Sequence, residues 1–526
     1  MKKDDFIKRR VAVIILLCMA VGVTLIHRFF VLKYFSSVYT DHDQVLMWLG
    51  ASNYKDFLFY EPCFYGQNYN VMLEALLAVP LLFFGVPHHY ALPLSTSFIF
   101  LFPVFLISFF AFKKGWYLTA FFSALIPLAM PLRFHMISSM PRGFVTGPAI
   151  AAVAMIIMLA GESKWRFFWF GLLGVLSVVV LPSAALIMIP VGMYVLFTYW
   201  REVRNIVLLI GGGSIGGILY VLKNYFYAIN PNYNHYSRIE GALFFSFDNF
   251  LNNFKNYENY FSDVTPIFFN NYYVLEVLFV ILFSYIMIKS KLYKSYFILI
   301  FSLFFVFLTL GFDKVSDGTV SIFYPYSRYY FSIFYLMIFF VWLVDRQNSK
   351  LLKYRINIVI LFMIFTSLFL KILVDSTLGN YQINVKEEIA LQRAVFVDST
   401  DNVYKDSEKL KSVAEQFDAE LIIGNNFLIN YAFPALHRGA TPTLLLPAGR
   451  ERLERRTWRI AEEFEAIRKR IILINYKNTY DESHIYPFHR VIHTDYLSDS
   501  TIYVIENVRS YTTKKYLYSL GQNLTF

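Results

Sequence analysis

The feature that most constrains this chain is a series of apolar stretches of near membrane-spanning length, separated by short basic clusters: 11–32, 71–87, 91–112, 117–131, 144–161, 167–181, 184–200, 205–223, 272–288, 295–312, 329–344 and 356–374. A crossing helix needs about 20 apolar residues. With 57% hydrophobic and only 16% charged residues, the chain is a polytopic membrane protein. A soluble domain carries about 25% charged residues. The net charge of +11 sits in clusters between apolar runs, where membrane topology is written. That placement gives no basic face for nucleic acid.

Charge decides which stretches cross. The N-terminal tail carries Lys2, Lys3, Lys8, Arg9 and Arg10, which places it on the cytoplasmic side and makes 11–32 an uncleaved first helix. Loop 33–70 is then outside. If 71–87 stays on the outer face, Lys113–Lys114, Lys164/Arg166, Arg201/Arg204, Lys289/Lys291/Lys294 and Arg346/Lys350/Lys353/Arg355 all fall inside. Val71–Pro87, with Glu74 and Pro80, is therefore expected to be a juxtamembrane or re-entrant helix. The expected fold is mainly α: a polytopic bundle of about 11 transmembrane helices over residues 1–374 with that juxtamembrane helix. Pro182 separates 167–181 from 184–200 into two helices; one long kinked helix there would invert everything downstream. From about Asp375 to 526 the composition is that of a small extracytoplasmic α/β domain. Its strands are expected at Ala419–Ile423, Thr443–Leu446, Ile471–Asn475 and Thr501–Ile505, and its helices at Ser407–Gln416 and Arg450–Arg470.

Inner loops are only a few residues long, and polar complexity gathers outside. Pro131–Gly143 holds Arg133, His135, Ser138, Ser139 and Arg142; Asn224–Asn271 is long and rich in Tyr, Phe and Asn, with Arg238, Glu240 and Asp248; Asp313–Arg328 ends in Tyr-Pro-Tyr-Ser-Arg. Gly211–Gly217 lies inside an apolar run, where small residues let helices approach closely. Cys18 and Cys63 cannot easily meet, so no disulfide is expected.

The candidate reactive centre is Thr40-Asp41-His42-Asp43 in the first outer loop. Asp41 precedes a helical pattern and Gln44 follows three residues later, which is a capping box. Capping explains Asp41 but not Asp43, and a capping carboxylate keeps an oxygen for chemistry. A nucleotide-sugar role for this Asp-x-Asp is excluded by its outer position. An activated sugar there would be lipid-linked and would need cations for its phosphate. Arg142 and Arg328 stand where outer loops meet helices, and a guanidinium grips phosphate oxygens in bidentate fashion. Arg28 and Lys33 are expected to snorkel to the interface.

The stretch Phe64-Tyr65-Gly66-Gln67-Asn68-Tyr69-Asn70-Val71-Met72-Leu73-Glu74-Ala75 after that loop, and Ser327-Arg328-Tyr329-Tyr330 opening a late helix, resemble the GT-C glycosyltransferases. The similarity is greatest to bacterial enzymes grouped with protein mannosyltransferases and aminoarabinose transferases, and covers roughly residues 1–375. Many members have Asp-Glu where this chain has Asp41-His42-Asp43. The resemblance implies a polyprenyl-phosphate sugar donor, an outer-loop aspartate as base and a bacterial cytoplasmic-membrane location. Asp41, placed first because it directly precedes the helix as the family's aspartate does, or else Asp43, would deprotonate an acceptor hydroxyl, while Arg328, with Arg142, would stabilise the departing lipid phosphate. Glu61, Tyr65, Gln67, Tyr69, Glu74 and Tyr326 are the expected substrate-binding residues. The acceptor is a glycan, lipid or protein, and membrane lipids surround the bundle. No cofactor is required, although a divalent cation (Mg or Mn) on Asp41 and Asp43 could share the charge stabilisation. The alternative is a transporter or flippase of a lipid-linked sugar or other solute, which would carry ionisable residues at mid-membrane and often an internal repeat. Glu276 is the nearest such residue in sequence.

Overall fold

The computed structural model describes residues 3–130, 132–230, 233, 244–261, 274–316, 318, 322–347, 397–445, 456–463, 465–477 and 490–519. The expected span 356–374, the boundary near 375, and Arg238 and Glu240 lie outside the described residues. In chain order the elements are α1 (Lys3–Val31), β1 (Tyr39–Asp41), α2 (His42–Lys55), α3 (Leu73–Phe83), α4 (His88–Lys113), α5 (Tyr117–Ala129), α6 (Leu132–Ile137) and α7 (Thr146–Ala160). Next come α8 (Arg166–Val180), α9 (Ala185–Tyr199), α10 (Val203–Ile229), α11 (Phe247–Lys255), α12 (Val274–Lys289), α13 (Tyr293–Leu308) and α14 (Ile333–Gln347). The rest is β2 (Val397–Ser399), α15 (Thr400–Gln416), β3 (Leu421–Gly424), α16 (Phe427–Leu436), β4 (Thr443–Leu445), α17 (Thr457–Glu463), β5 (Arg470–Tyr476), β6 (Arg490–Tyr496), β7 (Ser500–Glu506) and α18 (Thr513–Ser519).

The chain divides into two compact units. The first comprises Met1–Ser36, Pro93–Leu222 and Arg238–Leu391 and is helical where described. Among the described residues of the chain, six helical stretches are long and apolar enough to cross a membrane: Val13–Ser36, His88–Lys113, Pro182–Tyr199, Val203–Ile229, Tyr293–Gly311 and Tyr326–Arg346. The protein is thus mainly helical and polytopic. The other described runs fold as shorter helices, and the Val71–Pro87 stretch gives only the 11 residues of α3. At 1.5 Å per residue α3 is about 16 Å long, too short to cross. α8 and α9 are separate helices: the chain is extended at Leu181 and turns through Pro182–Ala184 between them.

The centre of the first unit is α14, buried nearly throughout; Phe331, Phe334, Tyr335 and Phe339 pack there, and Tyr335 Oη donates to Phe100 O at 3.0 Å. Glycine sets the contact of α8 with α10. A Cβ on Gly212 would strike Phe168 O, and one on Gly171 would strike Leu209 O. The two backbones touch there, as the small-residue run predicts.

The second unit comprises Ser37–Leu92, Lys223–Ser237 and Gln392–Phe526. Its five-stranded sheet has the order β4-β3-β5-β7-β6; β4, β3 and β5 are parallel, and β7 and β6 antiparallel. The four expected strand stretches are strands, with ends shifted by a residue or two. β5 is apolar at consecutive positions because both sheet faces are covered. Ile472 and Ile474 join a core with Ile422, Ile502 and Val504, while Ile471 and Leu473 join Leu421, Ile423, Tyr503 and Ile505 on the other face. Strand β6 was not expected: it is an edge strand bearing Arg490, His493 and Asp495 with a bulge near Val491, the charged, irregular form edges take. Of the helix expected over Arg450–Arg470, residues 450–455 and 464 lie outside the described residues; Thr457–Glu463 is helical and Arg470 opens β5.

The unit is not built from the C-terminal stretch alone. α2, buried from His42 to Ala51 apart from Asp43, packs on α16, and Val45, Leu46 and Trp48 share one core with Phe427, Tyr431 and Ile472. Loop 37–92 therefore has its hydrophobic contacts in a segment far along the chain; Ser52 and Ala435, hydrogen-bonded across this contact, are 383 residues apart, and contacts of such sequence separation slow folding.

Candidate active site

Within the second unit, β1 pairs antiparallel with β2, Asp41 opposite Val397. Thr400 locks the pairing: its N–H donates to Val38 O at 2.8 Å and its Oγ1 to Ser37 O at 2.8 Å. Asp41 then caps α2. Its Oδ1 accepts from the N–H groups of Asp43 (2.9 Å) and Gln44 (3.2 Å), and its Oδ2 accepts from Gln44 Nε2 at 2.7 Å. The capping box is present, but the oxygen expected to be left for chemistry is taken by Gln44. Asp41 is also 0% exposed. Asp43, one turn position on, is partly open, with its side chain 15% exposed and its Oδ1 3.7 Å from His42 Nε2. The His42 ring stands edge-on to Phe427 at 5.8 Å, so α16 fixes the turn's middle residue.

Divalent cations take six or more oxygens in most protein sites. Asp41, with both oxygens turned into its own helix end, fits such a shell poorly. Among the described residues no group of three His, Cys, Asp or Glu side chains is placed to hold a metal ion.

The second part of the loop folds around Glu61. Gly66 (φ +72°) and Asn70 (φ +62°) turn the chain back on itself, and Gln67 N–H donates to Phe64 O at 2.8 Å. Glu61 Oε1 accepts from Gly66 N–H at 3.2 Å, and Oε2 lies 3.0 Å from Tyr227 Oη, which is also 3.0 Å from Gln67 O. Tyr227 has one proton and two acceptors. Protonating Glu61 resolves this, giving a chain from the carboxyl through Tyr227 to the Gln67 carbonyl. Burial pushes the Glu61 carboxyl up to about 8, against the opposing pull of the Gly66 and Tyr227 hydrogen bonds. Burial also pushes the Cys63 thiol up to about 11, so it is no nucleophile. Lys223 Nζ donates to Asn68 O at 2.5 Å.

Of the expected substrate residues, Glu61, Tyr65 and Glu74 are buried parts of this scaffold. Tyr65 Oη accepts from Asn53 Nδ2 at 2.9 Å, and its ring meets Trp458 edge-on at 5.1 Å. Tyr60 and Tyr233 stack on the same indole at 5.0 and 5.4 Å. Glu74 is on the inner side of α3. Gln67 and Tyr69 are half-buried, with the Gln67 carbonyl engaged by Tyr227. Sequence reading missed Tyr227, Lys223, Thr400, Phe427 and Trp458; no spacing or motif marks them, because they act through contacts distant in the chain.

The first unit brings Arg142 and Arg328 near the same aromatic rings. Both approach Tyr324: the Arg328 guanidinium carbon is 3.7 Å and that of Arg142 5.3 Å from the ring centroid. Both also face Phe144, at 6.0 and 5.2 Å. Arg328 donates to Pro325 O at 2.8 Å and Tyr329 Oη at 2.7 Å, and Arg142 to Phe323 O. Gly318 permits this packing, since a Cβ there would lie 2.7 Å from Arg328 Nη1. Both arginines are buried. Two cations at most about 9 Å apart repel by about 2 kcal/mol at an effective dielectric of about 20. An anion accepting from both removes that cost. Tyr326 is half-buried and packs against Tyr260 at 5.2 Å.

Arg28 does not snorkel. It is buried in the bundle, donating to His135 O at 2.9 Å and Ser138 Oγ at 2.8 Å, with its guanidinium 5.2 Å over the Phe100 ring. The neighbouring His27 ring lies 4.1 Å from that of His135. The segment Pro131–Gly143 is thus not a free outer loop; α6 within it is part of the bundle interior. Lys33 is exposed beside Tyr34, as expected.

Comparison with known proteins finds no matching family model and no matching curated sequence. Among solved structures, the crystal structure of ArnT from Cupriavidus metallidurans in the apo state is similar: 12% identity, covering 94% of this chain and 98% of that one, with a TM-score of 0.48.

Proposed function

We propose that the chain is a membrane glycosyltransferase that moves a sugar from a polyprenyl-phosphate donor to an acceptor hydroxyl on the extracytoplasmic face. The observation that carries this reading is the convergence of Arg142 and Arg328 on Tyr324 inside an apolar bundle. Paired buried guanidinium groups near one aromatic ring suit a phosphate attached to a lipid. The resemblance of the Tyr65–Ala75 and Ser327–Tyr330 stretches to GT-C enzymes supports the same chemistry.

In this reading Asp43 is the base. Its carboxylate is partly open where that of Asp41 is buried and engaged. Asp43 takes the acceptor's proton as the acceptor oxygen forms a bond to the anomeric carbon. The bond from that carbon to the phosphate oxygen breaks, its electron pair leaves on the lipid phosphate, and Arg328 and Arg142 hold the charge that develops. Asp41 positions the turn, and no step is routed through a cation. Topology follows the charge clusters, with the N-terminus cytoplasmic. The test is transfer from a panel of polyprenyl-phosphate sugars by purified protein in nanodiscs. Transfer that persists undiminished in an Asp41→Asn/Asp43→Asn double variant would sink the mechanism.

A second reading, transport of a lipid-linked sugar or other solute, is favoured by one observation: the buried His27–Arg28–His135 cluster. Ionisable groups at that depth mark pathways in transporters. Counterflow of labelled donor in proteoliposomes, with no transfer to any acceptor, would select it.

A further inference from the structure

At the end of the first unit away from Arg142 and Arg328, an apolar groove leads in to the central helix. α14 has 15 residues and is about 22 Å long; it starts beyond Arg328 and ends at Arg346 and Gln347. Near that far end, the buried Phe339 and Trp342 form the floor of the groove. Ala111 of α4 and Leu159 and Ala160 of α7 form its sides, and the half-buried Trp116 stands at its mouth, edge-on to Trp342 at 5.7 Å. The turn after α4 sets that position. Gly115 takes φ +75° and Trp116 N–H donates to Ala111 O at 2.8 Å, the left-handed reversal that ends many helices.

The groove encloses about 320 Å³, and its lining is aliphatic and aromatic. A water settled in a cavity needs about two to four polar partners, so water suits it poorly. In a bilayer the apolar material at that depth is an acyl chain. The rim decides which lipid brings it. Lys113 and Lys114 close α4, Lys164 and Arg166 lie where α7 gives way to α8, and Arg346 lies in the last turn of α14 with its guanidinium carbon 5.2 Å from the Trp342 ring. The carboxylates beside them in the chain are engaged. Glu162 pairs with Lys114, and Asp345 Oδ2 accepts from Thr119 N–H at 3.0 Å and Thr119 Oγ1 at 3.1 Å. The Lys114–Glu162 pair sets the α4–α5 turn beside the α7–α8 turn. Lys113 and Lys164, one on each turn, are exposed, and neither pairs with a carboxylate among the described residues.

We propose that this groove is a binding site for one anionic phospholipid. An acyl chain lies along Ala111, Ala160 and Trp342, and the headgroup phosphate accepts from Lys113 and Lys164 at the mouth. Charge complementarity selects the headgroup: basic pockets between helices at this level hold acidic lipids, whereas a zwitterionic lipid brings a cation of its own to a rim already basic. A sugar donor placed for transfer is a different occupant, because its phosphate belongs at Arg142 and Arg328, beyond the other end of α14. The phospholipid fills the gap between α4, α7 and α14 and so acts as a structural ligand of the bundle. It holds whatever reaction the chain performs.

Native mass spectrometry of the full chain in a mild detergent tests it. The protein is incubated with phosphatidylglycerol or with phosphatidylcholine of the same acyl chains, and the lipid retained per chain is read beside a thermal melt. Phosphatidylglycerol should stay bound as a single molecule and raise the melting temperature, and phosphatidylcholine should do neither. A Lys113→Gln/Lys164→Gln variant should weaken phosphatidylglycerol binding about 30-fold, at about fivefold for each basic residue near an anionic headgroup. Ala160→Phe fills the groove: it should abolish retention, while the lipid-free variant melts at or above the parent temperature. Leu159→Trp fills it from the adjacent position and serves where Ala160→Phe fails to fold. Equal retention of the two lipids overturns the site, and so does phosphatidylglycerol binding that survives in a folded groove-filled variant. Displacement of phosphatidylglycerol by an equal concentration of a polyprenyl phosphate would give the groove to the donor's tail and overturn it as well.

Discussion

At the scale of single residues, the candidate site separates two aspartates that look equivalent in sequence. Asp41 holds a helix end and is fully buried, while the Asp43 side chain is 15% exposed beside His42. Asn caps as well as Asp, so Asp41→Asn should keep the turn and retain most transfer, whereas Asp41→Ala should lower stability by about 1 kcal/mol. Asp43→Asn should melt like the parent and lose transfer by about 10²–10⁴-fold, the usual weight of a general base. Stopped-time transfer assays beside thermal melts separate these outcomes; an inactive but stable Asp41→Asn variant would reverse the assignment. Glu61 gives a pH prediction. Its carboxyl is raised from the ordinary value of 4.5 to about 8 by burial, so between those pH values the folded chain holds a proton that the unfolded chain has lost. Stability from this group is therefore present at low pH and falls as pH rises through that window. Glu61→Gln, which stays neutral, should flatten the decline in melting temperature between pH 5 and 8 (values near the two ends of the shift).

At the scale of elements, the glycine run on α10 offers a matched pair. Gly212→Ala drives a methyl into Phe168 O and should cost about 1–3 kcal/mol through overpacking. Gly217→Ala meets nothing within 4 Å and should be neutral or gain up to about 1 kcal/mol from helix propensity. Equal melting of the two variants in detergent would contradict the α8–α10 contact. This close approach was legible in sequence because small residues repeated in one apolar run have few other uses. The capping box was legible for the same reason: it is a local arrangement, complete within four residues. The edge strand β6 was not, since its alternation of Arg490, His493 and Asp495 with Val491 and Ile492 is too polar to register as a buried strand.

At the scale of the whole molecule, the second unit joins α2 and α3 to a sheet near the far end of the chain, through a common core and the Thr400 clasp. A chain ending at residue 374 should therefore insert its helices yet leave 37–92 open to protease in right-side-out vesicles. Co-expression of residues 392–526 should restore protection. Full protection of the truncated chain would show that the loop folds alone. The sequence by itself determined that this is a polytopic membrane protein, that 71–87 yields no crossing helix, and that Arg328 stands among tyrosines. Those conclusions rest on hydrophobicity, charge and local spacing, which are properties of short stretches. Only the tertiary structure decided that Asp41 is fully buried, that Arg28 is buried, and that Glu61 and Tyr65 are scaffold. Burial and hydrogen-bond partnership depend on groups that fold in from distant parts of the chain, and no local pattern records them.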